Sequence, residues 1–325
     1  MSAPSTGHED ASPEEWLARM LRGDYAAAWN VSDRILAARG DAPTWHLPRH
    51  LQAVWRGAPL HGKRVLVRCY HGLGDTLQFV RYAPLVAEIA AELSVWAQPP
   101  LLPLLVTVKG IDHLLPLHDG VPDAEYDVDV ELMELPHVFR TTLDTIPNDI
   151  PYLHVPPLRR WTHDFAVGIA WAAGDWNPRR SIPFEMLAPL ANVPGVSLHV
   201  LQRGHHRDDW RFGFGTLAHV RDAYEEARFM RALDLVISVD SMPAHLAGAL
   251  GVPVWTLLHH EPDWRWMSHG ERTSWYPRMR LFRQPRAGDW EPVIARVVKE
   301  LAHAARVERL HPRTHARGAS LHHAS

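Results

Sequence analysis

The chain holds one cysteine, Cys69, among 325 residues, so no internal disulfide can staple the fold and a reducing compartment suits it. No uninterrupted apolar run approaches the ~20 residues of a membrane-spanning helix. The first residues, MSAPSTGHED, lack the basic start and apolar stretch of a secretory signal. Neither charge sign dominates: the formal net charge is −3, which gives no support for a nucleic-acid surface. The expected location is cytoplasmic, or peripheral at an inner membrane. What the chain does have is 46% hydrophobic and 22% charged residues, enough for a sizeable core. Its length suggests two domains with additional segments. The 14 tryptophans are numerous enough that some can serve as stacking surfaces for sugars or bases.

Two nucleotide-binding signatures are incomplete. RVLVRC, residues 64–69, reads as a strand, followed by a loop with Gly72, Gly74 and Asp75 and an amphipathic helix over 76–93. This is the opening β-loop-α of a Rossmann-like domain, whose glycines permit a tight turn and close backbone approach to a ligand. GLGDTL has no third glycine, and Gln98 stands after the next strand where an acidic residue would bind a ribose, so NAD is not expected. No Gly-Lys-Ser/Thr follows, so this is not a P-loop. Asp75 is placed to cap the helix, or to act as a general base at a cleft mouth. The chain has 23 histidines, but the runs at 205–206 and 259–260 lack the helical spacing and cysteine partners of a zinc site, and no metal site is expected.

The most informative stretch is LDLVISVDSMPAHLAGALGVPVWTLL, residues 233–258. A buried parallel strand at 235–239 leads through Asp240 and Ser241 to a helix over 243–250, then to a strand at 252–258. Small residues let that helix lie close to a sheet. The helix N-terminus has unpaired N–H groups and a positive dipole end, which favour phosphate. Asp240 can accept from sugar hydroxyls, Ser241 can cap the helix or touch phosphate, and His245 can donate to phosphate. Equally, Asp240 and Ser241 can serve only as caps, with His245 satisfying a neighbouring carbonyl.

Elsewhere, Ser12-Pro13-Glu14-Glu15 forms a capping box for a helix to about Arg22, with Gly23 ending it. A second helix over 25–39 ends at Gly40, and the pair, closed by Pro43, resembles half of a tetratricopeptide repeat that packs on the next domain. Residues 99–160 carry short strands such as 126–130, and 147–157, with Arg159 and Arg160, reads as a linker. Residues 165–172 begin a second domain. Arg179 and Arg180 in the following loop can grip a diphosphate or be solvated, and Arg203 is a further candidate for anion contact from a strand end. Trp264, in DWRW, can hold a base or sugar face, or cover the core. A final helix over 290–306 precedes a frayed tail.

Five separated motifs, in order, resemble one family: GLGDTLQFVRYAPL, TTLDTIPNDIPYL, VGIAWA with RRSIP, DLVISVDSMPAHLAGALGVPVW, and PDWRW with SWYPRMRLFRQ. Together they resemble the bacterial heptosyltransferase-like family 9 glycosyltransferases, in the branch where such a domain follows tetratricopeptide repeats. The likeness covers residues 20–305. It implies a GT-B fold, two Rossmann-like domains facing a cleft, and a metal-independent, inverting transfer from a nucleotide diphosphate sugar with no separate cofactor. By position, Asp75 would deprotonate the acceptor hydroxyl. Asp240, Ser241 and His245 match the donor motif, and Arg203 stands where relatives carry a basic residue for the diphosphate.

The expected plan is a disordered 1–11, a helical hairpin and linker at 12–60, an acceptor domain at 61–158, a donor domain at 159–306 and a flexible tail at 307–325. The expected function is sugar transfer to a cell-surface glycan, lipopolysaccharide or protein, with the hairpin offered to a protein partner. The alternative is a binding or scaffold protein with a decayed site. An epimerase of sugar nucleotides has no motif behind it.

Overall fold

Ser12 opens the first helix: its hydroxyl accepts from the Glu15 N–H at 3.1 Å, with Pro13 in the first turn of α1 (Pro13–Leu21). Gly23, at φ 79°, turns the chain, and Asp24 caps α2 (Tyr25–Ala38) by accepting from the Ala27 N–H. The computed structural model describes residues 12–39, 44–175 and 177–310. Expectations for 1–11, Gly40, Pro43 and 311–325 lie outside the described residues. The two helices pack on the body of the protein. Trp16 and Tyr25 meet the edge of Trp264, and the Trp29 indole donates to the Thr141 carbonyl at 2.6 Å.

The first sheet follows from short β-branched runs. The chain runs through β1 (Arg64–Arg68), α3 (Leu73–Phe79), α4 (Ala83–Ile89), β2 (Glu92–Ala97), α5 (Leu102–Leu105), β3 (His113–Pro116), β4 (Val128–Glu131) and α6 (Leu135–Val138). All four strands are parallel, in the order β3-β2-β1-β4. The single helix expected over 76–93 is broken by a 3₁₀ turn, Val80–Tyr82. Pro84 lies in the first turn of α4, where its missing N–H costs nothing, and Leu93 already belongs to β2.

The second sheet begins at β5 (Phe165–Ala170) and continues through β6 (Val196–Val200), β7 (Thr216–Leu217), α7 (Ala223–Met230), β8 (Leu235–Val239), α8 (Met242–Ala249), β9 (Val254–Leu258) and β10 (Met279–Arg283) to α9 (Glu291–Leu310). It is six-stranded and parallel, ordered β10-β9-β8-β5-β6-β7. Every residue of β5 and β8 is buried, as both faces of a parallel sheet are covered. Residues 307–310, given to a flexible tail, are instead the last turn of α9. The stretch 147–160, read as a linker, is bonded into the second sheet's layer. The Tyr152 N–H donates to the Ala249 carbonyl, and Arg160 pairs with buried Asp234 at 2.7 Å.

One apolar core runs from α1 and α2 through the first sheet to α8 and Val236 of the second; another lies behind, under α9. The two sheets are therefore joined through packed helices, α3 against α8. Gly74 makes this possible, since a Cβ there would sit 2.9 Å from the His245 ring. Gly248 likewise gives room to the Tyr276 ring, 2.5 Å from where its Cβ would be. The small residues of α8 thus serve close approach to α3 and Tyr276. Arg81, 3% exposed, adds polar ties across the joint, donating to the Gln78, Pro147 and Trp275 carbonyls and to the Tyr152 hydroxyl.

Candidate functional site

In parallel sheets the strand ends where helices start are the natural place for a ligand. A cavity of about 620 Å³ lies there, between the two sheets. Leu73 and Pro100 line it from the first sheet's loops. Gly174, Asp175, Arg203, His205, His206, Glu226 and the first turn of α8 (Ser241, Met242, Pro243) line it from the second. Of the residues singled out from sequence, Arg203 and Ser241 line this cavity; Asp75, Arg180, Asp240, His245 and Trp264 are not among its lining residues.

Arg203 reaches into the cavity from the end of β6. It donates to the Glu226 carboxylate at 3.1 Å and to the Arg221 carbonyl at 3.0 Å. Glu226, on α7, is fully buried, and its second oxygen has no hydrogen-bond partner among the described residues. Burial pushes this carboxyl up to about 7, against the pull of the Arg203 charge. No motif in the sequence singles out Glu226, which follows another glutamate, Glu225, in the first turn of α7.

The α8 terminus offers less than its position promised. Ser241 is the residue before the helix, but its hydroxyl donates to the Val239 carbonyl at 3.3 Å and does not cap. Pro243 has no N–H, and the Ala244 and His245 N–H groups return to the Ser241 carbonyl. The dipole remains, with the Met242 N–H in the first turn. His245 is 5% exposed. Its Nδ1 lies 3.1 Å from the Tyr276 hydroxyl, its Nε2 lies 3.7 Å from Asp240, and its ring stacks on Trp266. Burial pushes the Asp240 carboxyl up, but the His245 hydrogen bond and charge, with the Arg180 charge, bring it below the usual range. Of the two arginines that could grip a diphosphate or be solvated, Arg179 pairs with Glu261 at 2.5 Å and Arg180 donates to the Asp240 carbonyl at 3.0 Å.

On the opposite lip, the glycines expected to approach a ligand do other work. Gly72 donates its N–H to Asp75 at 2.9 Å, and Gly74 abuts His245. The other Asp75 oxygen pairs with Arg265 at 2.5 Å. Arg265, 6% exposed, comes from the loop after β9 and also donates to Gln78 and Asp263. Gln98 bonds the Thr76 hydroxyl and the His71 carbonyl, tying the loop down at the place of a ribose-binding acid. Beside Asp75, His71 Nδ1 faces the buried Glu131 carboxylate at 3.0 Å. Burial lowers the His71 pKa, but Glu131 and Asp75 outweigh it and leave it raised. Nothing in a chain with 23 histidines singled His71 out. Trp264, expected as a stacking surface, is core: 8% exposed, stacked with Phe79 and edge-on to Trp16, Tyr25 and Trp275.

A third feature joins two loops. Asp175 Oδ1 lies 3.6 Å from His205 Nε2 and 3.9 Å from His206 Nε2. The expectation of no metal site rested on each histidine run alone, without this carboxylate.

No family model matches the chain. Protein FlbA of Caulobacter vibrioides is 26% identical over 318 residues, spanning 86% of this chain. The match covers 52% of FlbA, so the chain spans about half the length of that curated relative. A family 9 glycosyl transferase from Veillonella parvula superposes with a TM-score of 0.54 at 12% identity, over 77% of this chain and 99% of that one. ADP-heptose LPS heptosyltransferase II of E. coli does so with a TM-score of 0.54 at 15% identity, over 76% and 99%. The chain has the α/β fold of these GT-B glycosyltransferases. At such identities the likeness establishes the fold; the activity has to be argued from the site.

Proposed function

We propose that the chain is a glycosyltransferase of the family 9 type that takes a nucleotide diphosphate sugar into the cavity between its two sheets. The observation that carries this is the cavity itself. It lies at the strand ends, with the Arg203 guanidinium and the first turn of α8 on one wall and Leu73 and Pro100 of the first sheet's side on the other. Transfer from such a donor needs the leaving diphosphate's charge stabilised, and a guanidinium with a helix dipole can do this in a site screened from water. The acceptor hydroxyl would lose its proton at the first turn of α3, where the reading assigns the base to Asp75 with inversion at the sugar carbon. The acceptor would be a glycan or a protein.

The engagement of Asp75 favours a second reading. Both its carboxylate oxygens are already taken, one by the Gly72 N–H and one by Arg265, so the fold would also serve a protein that binds a nucleotide sugar without transferring it. A panel of nucleotide diphosphate sugars separates the readings. The transferase raises its melting temperature with one donor and slowly releases free nucleoside diphosphate from it, and Asp75→Ala stops the release while leaving the thermal shift. A donor that binds and is never cleaved supports the binding protein.

A further inference from the structure

We propose that Asp175, His205 and His206 bind a divalent transition-metal cation at the rim of the cavity, with coordination positions left open towards a diphosphate. The metal site stands on its own geometry; its diphosphate partner rests on the proposed function.

The three ligand atoms all lie within 4.8 Å of one another, with the carboxylate oxygen 3.6 Å and 3.9 Å from the two imidazole nitrogens. A tetrahedral ion with ligand bonds of ~2.1 Å holds its ligands ~3.4 Å apart. The two carboxylate–imidazole edges are a few tenths of an ångström longer, the imidazole–imidazole edge lies within 4.8 Å, and rotation of the exposed Asp175 and His205 side chains can draw the three atoms in. Gly204, at φ 71°, reverses the chain after β6, and a 3₁₀ turn then presents the consecutive histidines side by side, ring centroids 4.1 Å apart. His206 has outer support. Its Nδ1 lies 3.4 Å from Asp209, whose same oxygen accepts from the indole of buried Trp171 at 3.3 Å. A carboxylate behind a histidine fixes the tautomer that leaves Nε2 for a metal. Two imidazoles and one carboxylate suit zinc, manganese, iron or cobalt more than magnesium or calcium. Three protein ligands leave at least one position free. All three residues line the cavity with Arg203 and Ser241, so the free position borders the proposed diphosphate site.

The experiment is calorimetry of the chelator-stripped full chain with Zn²⁺ and Mn²⁺, then with ADP, UDP and GDP in the presence and absence of metal. The wild type binds one ion per chain. Asp175→Asn and His206→Ala each weaken binding at least tenfold, and His259→Ala does not. The metal-free melting temperature of each variant shows that it folds. Failure of both ions to bind one per chain, or binding equal in the variants, overturns the site. One of the three nucleotides binds at least threefold tighter with metal than without. Nucleotide binding with no metal binding overturns the site and leaves the proposed function standing. Metal binding without any nucleotide binding upholds the site and counts against the proposed function. Nucleotide affinity indifferent to bound metal overturns the open coordination position.

Discussion

Replacing Arg265 with methionine strips three acceptors at once. The guanidinium donates to Asp75 at 2.5 Å, Gln78 at 2.7 Å and Asp263 at 2.8 Å. It is buried, whereas the side chains of its two carboxylate partners are 28% and 24% exposed. Breaking a buried ion pair by removing one partner costs about 3–5 kcal/mol. Water can reach both carboxylates here, which places the pair loss at the lower end, and the orphaned Gln78 oxygen adds about 1 kcal/mol. Arg265→Met is therefore expected to lose about 3–4 kcal/mol in urea unfolding. A double-mutant cycle with Asp75→Asn should give a coupling of about 1.5–3 kcal/mol, because Arg265 crosses from the second sheet's loops to α3. A loss below about 1 kcal/mol with no coupling would refute the picture of a charged tie holding the two halves together.

Glu226 sets a pH dependence. Its folded-state value, about 7, lies above the ordinary carboxylate value of 4.5, so the folded chain holds a proton the unfolded chain releases. Its contribution to stability is complete below pH 4.5 and is lost as pH rises through about 7. Glu226→Gln should flatten the stability profile across that window, by up to about 3 kcal/mol, measured by urea titration at each pH. Arg203→Ala removes the ion partner and a cavity-wall cation. It should abolish nucleoside diphosphate binding by calorimetry and raise the Glu226 carboxyl further, read from its carbon-13 shift. Gly74→Ala places a methyl 2.9 Å from the His245 ring and should cost about 1–3 kcal/mol in thermal or urea unfolding, since neither helix of that contact can retreat without opening the core.

Runs of β-branched residues made the central strands legible. β1, β5 and β8 carry near-continuous apolar runs, the signature of strands covered on both faces. The caps at Ser12 and Asp24 and the glycine turn at 23 were legible because capping is local chemistry. β3 was not, because its four residues are partly exposed at a sheet edge and carry no alternation. The break between α3 and α4 was missed because the apolar pattern runs on through Pro84. The site was least legible where it depends on distance along the chain. Arg265 meets Asp75 across 190 positions, and Asp175 meets His205 from a different strand's loop. Trp264 could be read as a stacking face or as core cover, and nothing local decides between them, because the decision comes from α1 and α2 folding over it. Ser241 and His245 fit a donor motif by spacing, while the hydroxyl's turn to Val239 and the ring's contact with Tyr276 arise only from packing.

The central claim is that a nucleoside diphosphate binds between Arg203 and the first turn of α8. The most direct measurement is a crystal structure of the chain grown with the nucleotide diphosphate sugar that gives the largest thermal shift. The account predicts density for two phosphates within hydrogen-bond distance of the Arg203 guanidinium and the Met242 N–H. A nucleotide bound elsewhere, with this cavity holding only water, would contradict it.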